Sequence, residues 1–397
     1  VDKIVAISDL HLGQTGADGF GQYSLLSSKA PENLVDKFAE AVRQFAKDSS
    51  ITLLVTGDFL DLSLAYMAEA LEDFKNLLAS LRDHKVSVRE IVYLVGNHDQ
   101  HMWSLHSEDT RLLQYLRTGN IPPLDPTLPA NMAMYHTTTS YGETFTLLQP
   151  LVDEIFQSKS TSIQIAYPSF QRQLPNNGPL IYGTHGHLMG GLYTALSRLL
   201  ADRLQHLPPD RVAATVNQPI IEFIYWLLGE TGEGMGADGL LEQIYTDSQK
   251  GVDSTLQDVV SHGVKLAVPK GTVPLLPTSW EQAWITKAIM SKLDAAMSSP
   301  AASAHASAAR HADVESTREQ LWAWVHTVPA LKARLPSVPI HVLYGHTHVW
   351  DKHQFLGTNM IAWNLNTWLV EPGHEVPRTG FLAIDSDCGE VEWVDVK

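Results

Sequence analysis

Five short polar stretches hold the residues best suited to chemistry in this chain. They are Asp9-Leu10-His11, Gly57-Asp58-Phe59-Leu60-Asp61, Gly96-Asn97-His98-Asp99, Gly183-Thr184-His185-Gly186-His187 and Gly345-His346-Thr347-His348. Between them they offer carboxylates, imidazoles and one amide oxygen. Mixed carboxylate and imidazole donors suit zinc or a transition ion, whereas magnesium prefers oxygen. A carboxylate has two oxygens, so a single Asp can serve two ions. Taken singly, each stretch reads equally well as a polar turn. Five in order, each after an apolar run, are hard to ascribe to accident.

Those apolar runs are the elements that must position the polar tips. Lys3 to Ile7, Thr52 to Val55, Ile91 to Val95, Pro179 to Tyr182 and Pro339 to Leu343 read as buried strands. Between the first three lie segments of helical spacing, Pro31 to Ser49 and Leu64 to Leu81. The alternation predicts parallel strands joined by helical crossovers. In such sheets ligands gather at the carboxyl ends of the strands. If the first tip stays extended, Asp9 and His11 face one side together and Leu10 faces the core.

Elsewhere the pattern is less regular. The prolines at 122, 123, 126 and 129 read as an irregular linker, Pro150 to Phe156 as a short helix and Ser162 to Tyr167 as a strand. After Gly191 the chain turns helical: Leu192 to Leu204, Ile220 to Leu228, Leu240 to Tyr245, Trp280 to Met297 and Gln320 to Leu335. Pro300 to Ala312 is a low-complexity Ala/Ser/His link. Its His305 and His311 lack an accompanying carboxylate or cysteine, so they are not read as a metal site. Met360 to Trp363, Phe381 to Ile384 and the alternating Gly389 to Val396 return to strand.

Composition narrows the function classes. A chain of 397 residues with 44% hydrophobic and 18% charged residues suits a globular protein with a sizeable core. Its net charge of -16 argues against general nucleic-acid binding, which needs a basic surface. A phosphate substrate remains compatible if bound metal supplies local positive charge. The single cysteine, Cys388, excludes an intramolecular disulfide. No transmembrane run and no signal peptide are visible, and the expected location is cytoplasmic.

The five-block array resembles that of the calcineurin-like metallophosphoesterases: Asp-x-His, Gly-Asp-x-x-Asp, Gly-Asn-His-Asp/Glu, a lone His, and Gly-His-x-His. All five blocks stand here without substitution. The resemblance covers residues 1–190 and 336–397 and leaves 191–335 as a mainly helical insertion, a candidate cap. It implies an α/β fold, a four-layer α/β/β/α sandwich of two mixed sheets with the site along one rim. It also implies a metal-dependent phosphoester hydrolase, a phosphatase or phosphodiesterase, whose dinuclear centre uses a metal-bridging hydroxide as nucleophile. The cofactors implied are two divalent or trivalent ions, Mn, Fe or Zn.

Carried over residue by residue, Asp9, His11 and His348 hold one ion, Asn97, His185 and His346 the other, and Asp58 bridges them. His98 stabilises the phosphoryl oxygens or protonates the leaving group, and Asp99 orients His98. Asp61 supports the loop or a ligand histidine, or is simply a turn residue. His187 is read as a neighbour of the site rather than a ligand, and His101 and His106 as surface or rim residues. The competing reading is a catalytically silent scaffold or binding protein that kept the fold. Filled ligand positions throughout favour the enzyme.

Overall fold

The computed structural model describes residues 2–16, 21–119, 143–189, 193, 197, 209–222, 225, 287, 314–335, 337–371 and 375–396. Two mixed sheets with flanking helices make up the α/β architecture. The first has seven strands. Its centre is β1 (Asp2–Ile7), β3 (Ser50–Thr56), β4 (Val88–Leu94) and β6 (Ser162–Ala166), all parallel. On the β1 side β13 (Gly380–Asp385) and then β14 (Val391–Asp395) add antiparallel. The short β5 (Glu143–Thr144) closes the other edge. The second sheet runs parallel through β8 (Leu180–Thr184), β9 (Ile340–Tyr344) and β11 (Met360–Leu365). Its antiparallel edges are β7 (Ser169–Gln173) and β10 (Trp350–Gln354). A two-strand ribbon pairs β2 (Tyr23–Ser24) with β12 (Leu369–Val370).

Side chains alternate across each strand, so a strand buried on both faces feeds two cores. Ile4, Ala6, Leu54, Val92 and Leu94 of the first sheet share one core with Ile181, Leu343, Trp363 and Leu365 of the second. Their neighbours Val5, Ile7, Leu53, Val55 and Tyr93 turn the other way. There they meet Phe38 and Val42 of α1 (Val35–Ala46) and Phe74, Leu77 and Leu81 of α2 (Met67–Asp83). Each such buried Val, Leu, Ile or Phe side chain contributes about 1.5–3 kcal/mol by leaving water.

Helices α1 and α2 lie where the periodicity predicts them. Helix α1 starts four residues after Pro31, where the Asn33 side chain accepts from the Val35 amide at 2.8 Å and satisfies an end donor. Two helices carry little warning in the sequence. Helix α3 (Gln100–Thr118) follows the third polar block directly; its buried face, Met102, Trp103 and His106, is only partly apolar. Helix α4 (Gln149–Phe156) is the predicted short one, and α5 (Pro209–Ile221) starts in the gap after one expected helix and runs into the first two residues of the next, expected from Ile220.

Helices α6 (Val314–Thr327) and α7 (Pro329–Lys332), assigned to the insertion on sequence, pack on the second sheet. Trp324 Nε1 donates to Tyr182 Oη there at 3.2 Å. Expectations for residues 120–142, most of 191–313 and the linker prolines lie outside the described residues. No helix among the described residues is long and apolar enough to cross a membrane.

Candidate metal centre

All five polar tips leave the carboxyl ends of parallel strands β1, β3, β4, β8 and β9. The Asp9 and His11 amides donate to Gly57 and Asp58 carbonyls at 3.1 and 2.9 Å, so the first two tips run side by side. They are not extended, however. Asp9 and His11 have φ of 51° and 47°, and Asp58, His346 and His348 have 49°, 71° and 55°. Left-handed backbone costs a side-chain-bearing residue roughly 1–2 kcal/mol. Strain of this kind collects where the surroundings over-determine a functional geometry. The tips also approach too closely for a β-carbon at three points. On Gly57 it would lie 2.2 Å from Nδ1 of His185. On Gly96 it would lie 2.1 Å from Oδ1 of Asp58, and on Gly345 1.9 Å from Oδ2 of Asp9.

Three imidazoles share one plan. His185 Nδ1 lies 3.0 Å from the Thr56 carbonyl, which only accepts, so Nδ1 carries the proton. Its Nε2 then lies 3.1 Å from Asp58 Oδ2 and 2.9 Å from Asn97 Oδ1. A lone pair facing two oxygens needs a proton or a cation between them. His348 is anchored at Nδ1 by Glu371 (3.1 Å) and turns Nε2 toward Asp9 Oδ1 at 3.5 Å. His11 is anchored at Nδ1 by Asp61 (3.0 Å); its buried Nε2 has no hydrogen-bond partner among the described residues and lies 3.8 Å from Asp58 Oδ2. An outer oxygen that fixes the ring while the inner nitrogen points inward is the arrangement of a metal-ligating histidine.

The electrostatics agree. Burial opposes charge on His185, but Asp58 and Asp9 lift it to about 9. Burial likewise opposes charge on His348, but hydrogen bonds to Asp9 and Glu371 lift it to about 10. Burial would raise Asp58 and Asp61; the surrounding histidines outweigh it and hold both well below the carboxylate range. The buried carboxylates therefore call for positive charge at the imidazole nitrogens, which a metal supplies as well as protons do. Three groupings bring ligand atoms within 4.8 Å of one another: Asp9, His11 and His348; Asp9, Asp58 and His185; and His11, Asp61 and His98. This donor set fits divalent metal.

His346 reaches the same place: its amide donates to Asp9 at 2.9 Å and its ring stands 5.2 Å from that of His185. A cavity of about 30 Å³, large enough for a water, is lined by His11, Asp58, Asn97, His98, His346 and His348 with Gln22, Leu64, Leu369 and Glu371.

Asp99 departs from expectation. Its Oδ2 accepts from the Phe59 amide (2.8 Å) and Tyr93 Oη (2.7 Å), and its Oδ1 from the Gly96 amide (2.6 Å). It therefore braces the turn between β4 and α3 and makes no hydrogen bond to His98. Burial, with the nearby charge of Asp58, raises it to about 7. The His98 ring instead meets Ser63 Oγ at 2.6 Å and Asp61 at 3.4 Å through Nδ1. Asp61 thus touches two histidines. Ser63 and Glu371 were not found in the sequence, where neither stands at an informative spacing.

His187 is buried, its ring 5.3 Å from that of His185 and stacked on Tyr167 at 6.2 Å. It joins none of the three donor groupings. His106, expected at the surface or rim, is buried against Trp103 and Phe145. His101 sits half-buried and pairs with Glu222.

Residues 2–210, more than half of the chain, match a family model described as calcineurin-like phosphoesterase. No curated protein matches the chain. Among solved structures it is similar to the phosphopantetheinyl hydrolase of Mycobacterium tuberculosis at 13% identity, over 94% of this chain and 96% of that one, with a TM-score of 0.27.

Proposed function

Since the chain belongs to the calcineurin-like phosphoesterase family, and so is a hydrolase of phosphoric esters, we propose that its buried Asp/His cluster is a dinuclear metal centre. Asp9, His11 and His348 would hold one ion, Asn97, His185 and His346 the other, with Asp58 shared. The observation that carries the reading is the environment of Asp58. Its Oδ2 faces Nε2 of His185 and, at longer range, Nε2 of His11. These belong to the two opposite ligand sets.

Bound ions in such a site polarise phosphoryl oxygens and lower the pKa of a bound water. The chain's own residues do the rest. Asp61, Glu371 and the Thr56 carbonyl hold the rings of His11, His348 and His185 in one tautomer. The backbone amide of His98 donates to Asp58 Oδ1 at 2.9 Å and fixes the shared carboxylate. The His98 ring, held by Ser63 and Asp61, is offered to the substrate as a donor to a phosphoryl oxygen or to the leaving group. The mixed donor set favours Mn, Fe or Zn. Residues 1–190 and 336–397 form the catalytic unit in this reading, and 191–335 shapes access to it.

The test is turnover of bis-para-nitrophenyl phosphate and of the monoester by manganese-loaded protein, together with Asp58→Ala. That variant should lose metal and activity together, because both ions share the carboxylate. Full metal content with unchanged turnover in Asp58→Ala would overturn the proposal.

A further inference from the structure

We propose that Tyr225, delivered by the segment after α5, is a positioning residue for His98, and that Glu222 latches it in place. The inference rests on the reading above, in which His98 acts on the phosphoryl group. An imidazole pinned at one nitrogen can still swing, because the outer torsion of His is broad and two-fold. Ser63 and Asp61 hold the Nδ1 side of His98, and His11 packs edge-on at 4.8 Å. Tyr225 supplies a further wall: it is buried, and its ring centroid lies 5.0 Å from that of His98 at 56°.

Tyr225 is far from His98 in sequence, so something must bring it there. Glu222 accepts from His101 Nδ1 through one oxygen and from Ser104 Oγ (2.9 Å) through the other. His101 and Ser104 stand at the start of α3, the helix that follows the His98 loop directly. One carboxylate thus clamps the later segment to the base of the catalytic loop, three residues before the tyrosine that walls the histidine. The first third of the chain supplies His98, and a residue from 191–335 sets the plane of its imidazole.

The test is a double-mutant cycle. Tyr225→Phe, Tyr225→Leu and Glu222→Ala are measured in the wild-type and His98→Ala backgrounds, reading kcat and KM at saturating metal, metal content, and the His98 imidazole NMR signal. With His98 present, Tyr225→Leu should lower kcat by roughly 10- to 100-fold, the scale of a small misplacement of a reacting group. It should leave KM and metal content in place and shift or broaden the His98 signal. In His98→Ala it should cost almost nothing further, since the two act as one unit. Tyr225→Phe keeps the ring and should restore near-normal kcat; Glu222→Ala should follow Tyr225→Leu and replaces it if that variant fails to fold. Equal losses in both backgrounds, or an unmoved His98 signal, would overturn the inference. A His98 signal that moves in Tyr225→Leu, with no turnover by the wild-type protein, would instead leave the inference standing and sink the proposed function.

Discussion

A single methyl group at position 345 measures how tightly the centre is built. In Gly345→Ala the new Cβ would fall 1.9 Å from Oδ2 of Asp9 and 2.0 Å from Oγ of Ser8. Real Cβ atoms essentially never come within 3.0 Å of such neighbours, so Asp9 or the 345–348 loop must retreat by about 1.1 Å. Neither can do so cheaply. Both Asp9 oxygens accept from the amide of His346, the next residue, at 2.9 and 3.1 Å. Overpacking of this kind costs about 1–3 kcal/mol of stability. A reacting group displaced by about an ångström costs on the order of 100-fold in rate. Gly357→Ala is the control: nothing lies within 4 Å of its Cβ, and it suffers only the strain of a φ of 75°. Titrating manganese into each variant while following kcat/KM on bis-para-nitrophenyl phosphate should show weak metal binding and a large loss for position 345, and neither for position 357. Wild-type metal affinity and kcat/KM in Gly345→Ala would refute the claim that Asp9 is held against that glycine for catalysis.

Two further outcomes are expected, one at the site and one away from it. Glu371→Gln removes the carboxylate that anchors His348 and should weaken metal binding by roughly 10- to 100-fold, read by competition with a chelating dye; unchanged affinity would exclude Glu371 as the orienting partner. Away from the site, His341 accepts from Trp363 Nε1 at 2.9 Å, and burial, aided by Lys352, pushes it down to about 4. A folded pKa below the unfolded 6.5 means that the unfolded chain takes the proton first. This stability is present above that pH and is lost as pH falls toward 4, in all roughly 3 kcal/mol. Denaturant unfolding of His341→Gln should show a shallower pH slope than wild type across that window; identical slopes would contradict it.

Much of the fold was legible because each central strand is a continuous apolar run, the pattern of a sheet buried on both faces. The five tips were legible for the same reason: the runs fix where the polar residues emerge. What sits around them was not. Asp99 is next to His98 in sequence, yet its oxygens turn back to Phe59, Tyr93 and Gly96, while Asp61 and Ser63 reach His98 from another loop. Glu371 and Tyr225 are brought in by tertiary packing and leave no periodic trace. Asp9 and His11 do face the site, but through left-handed backbone and not through strand alternation. Helix α3 was missed because its buried face mixes Met102 and Trp103 with His106, so the apolar stripe is broken.

The most direct measurement is an anomalous-scattering map from crystals of the manganese-loaded protein. Two peaks about 3.5–4 Å apart are predicted, flanking Asp58, one beside Asp9, His11 and His348 and the other beside Asn97, His185 and His346. A single peak, or none within reach of Asp58, would contradict the account.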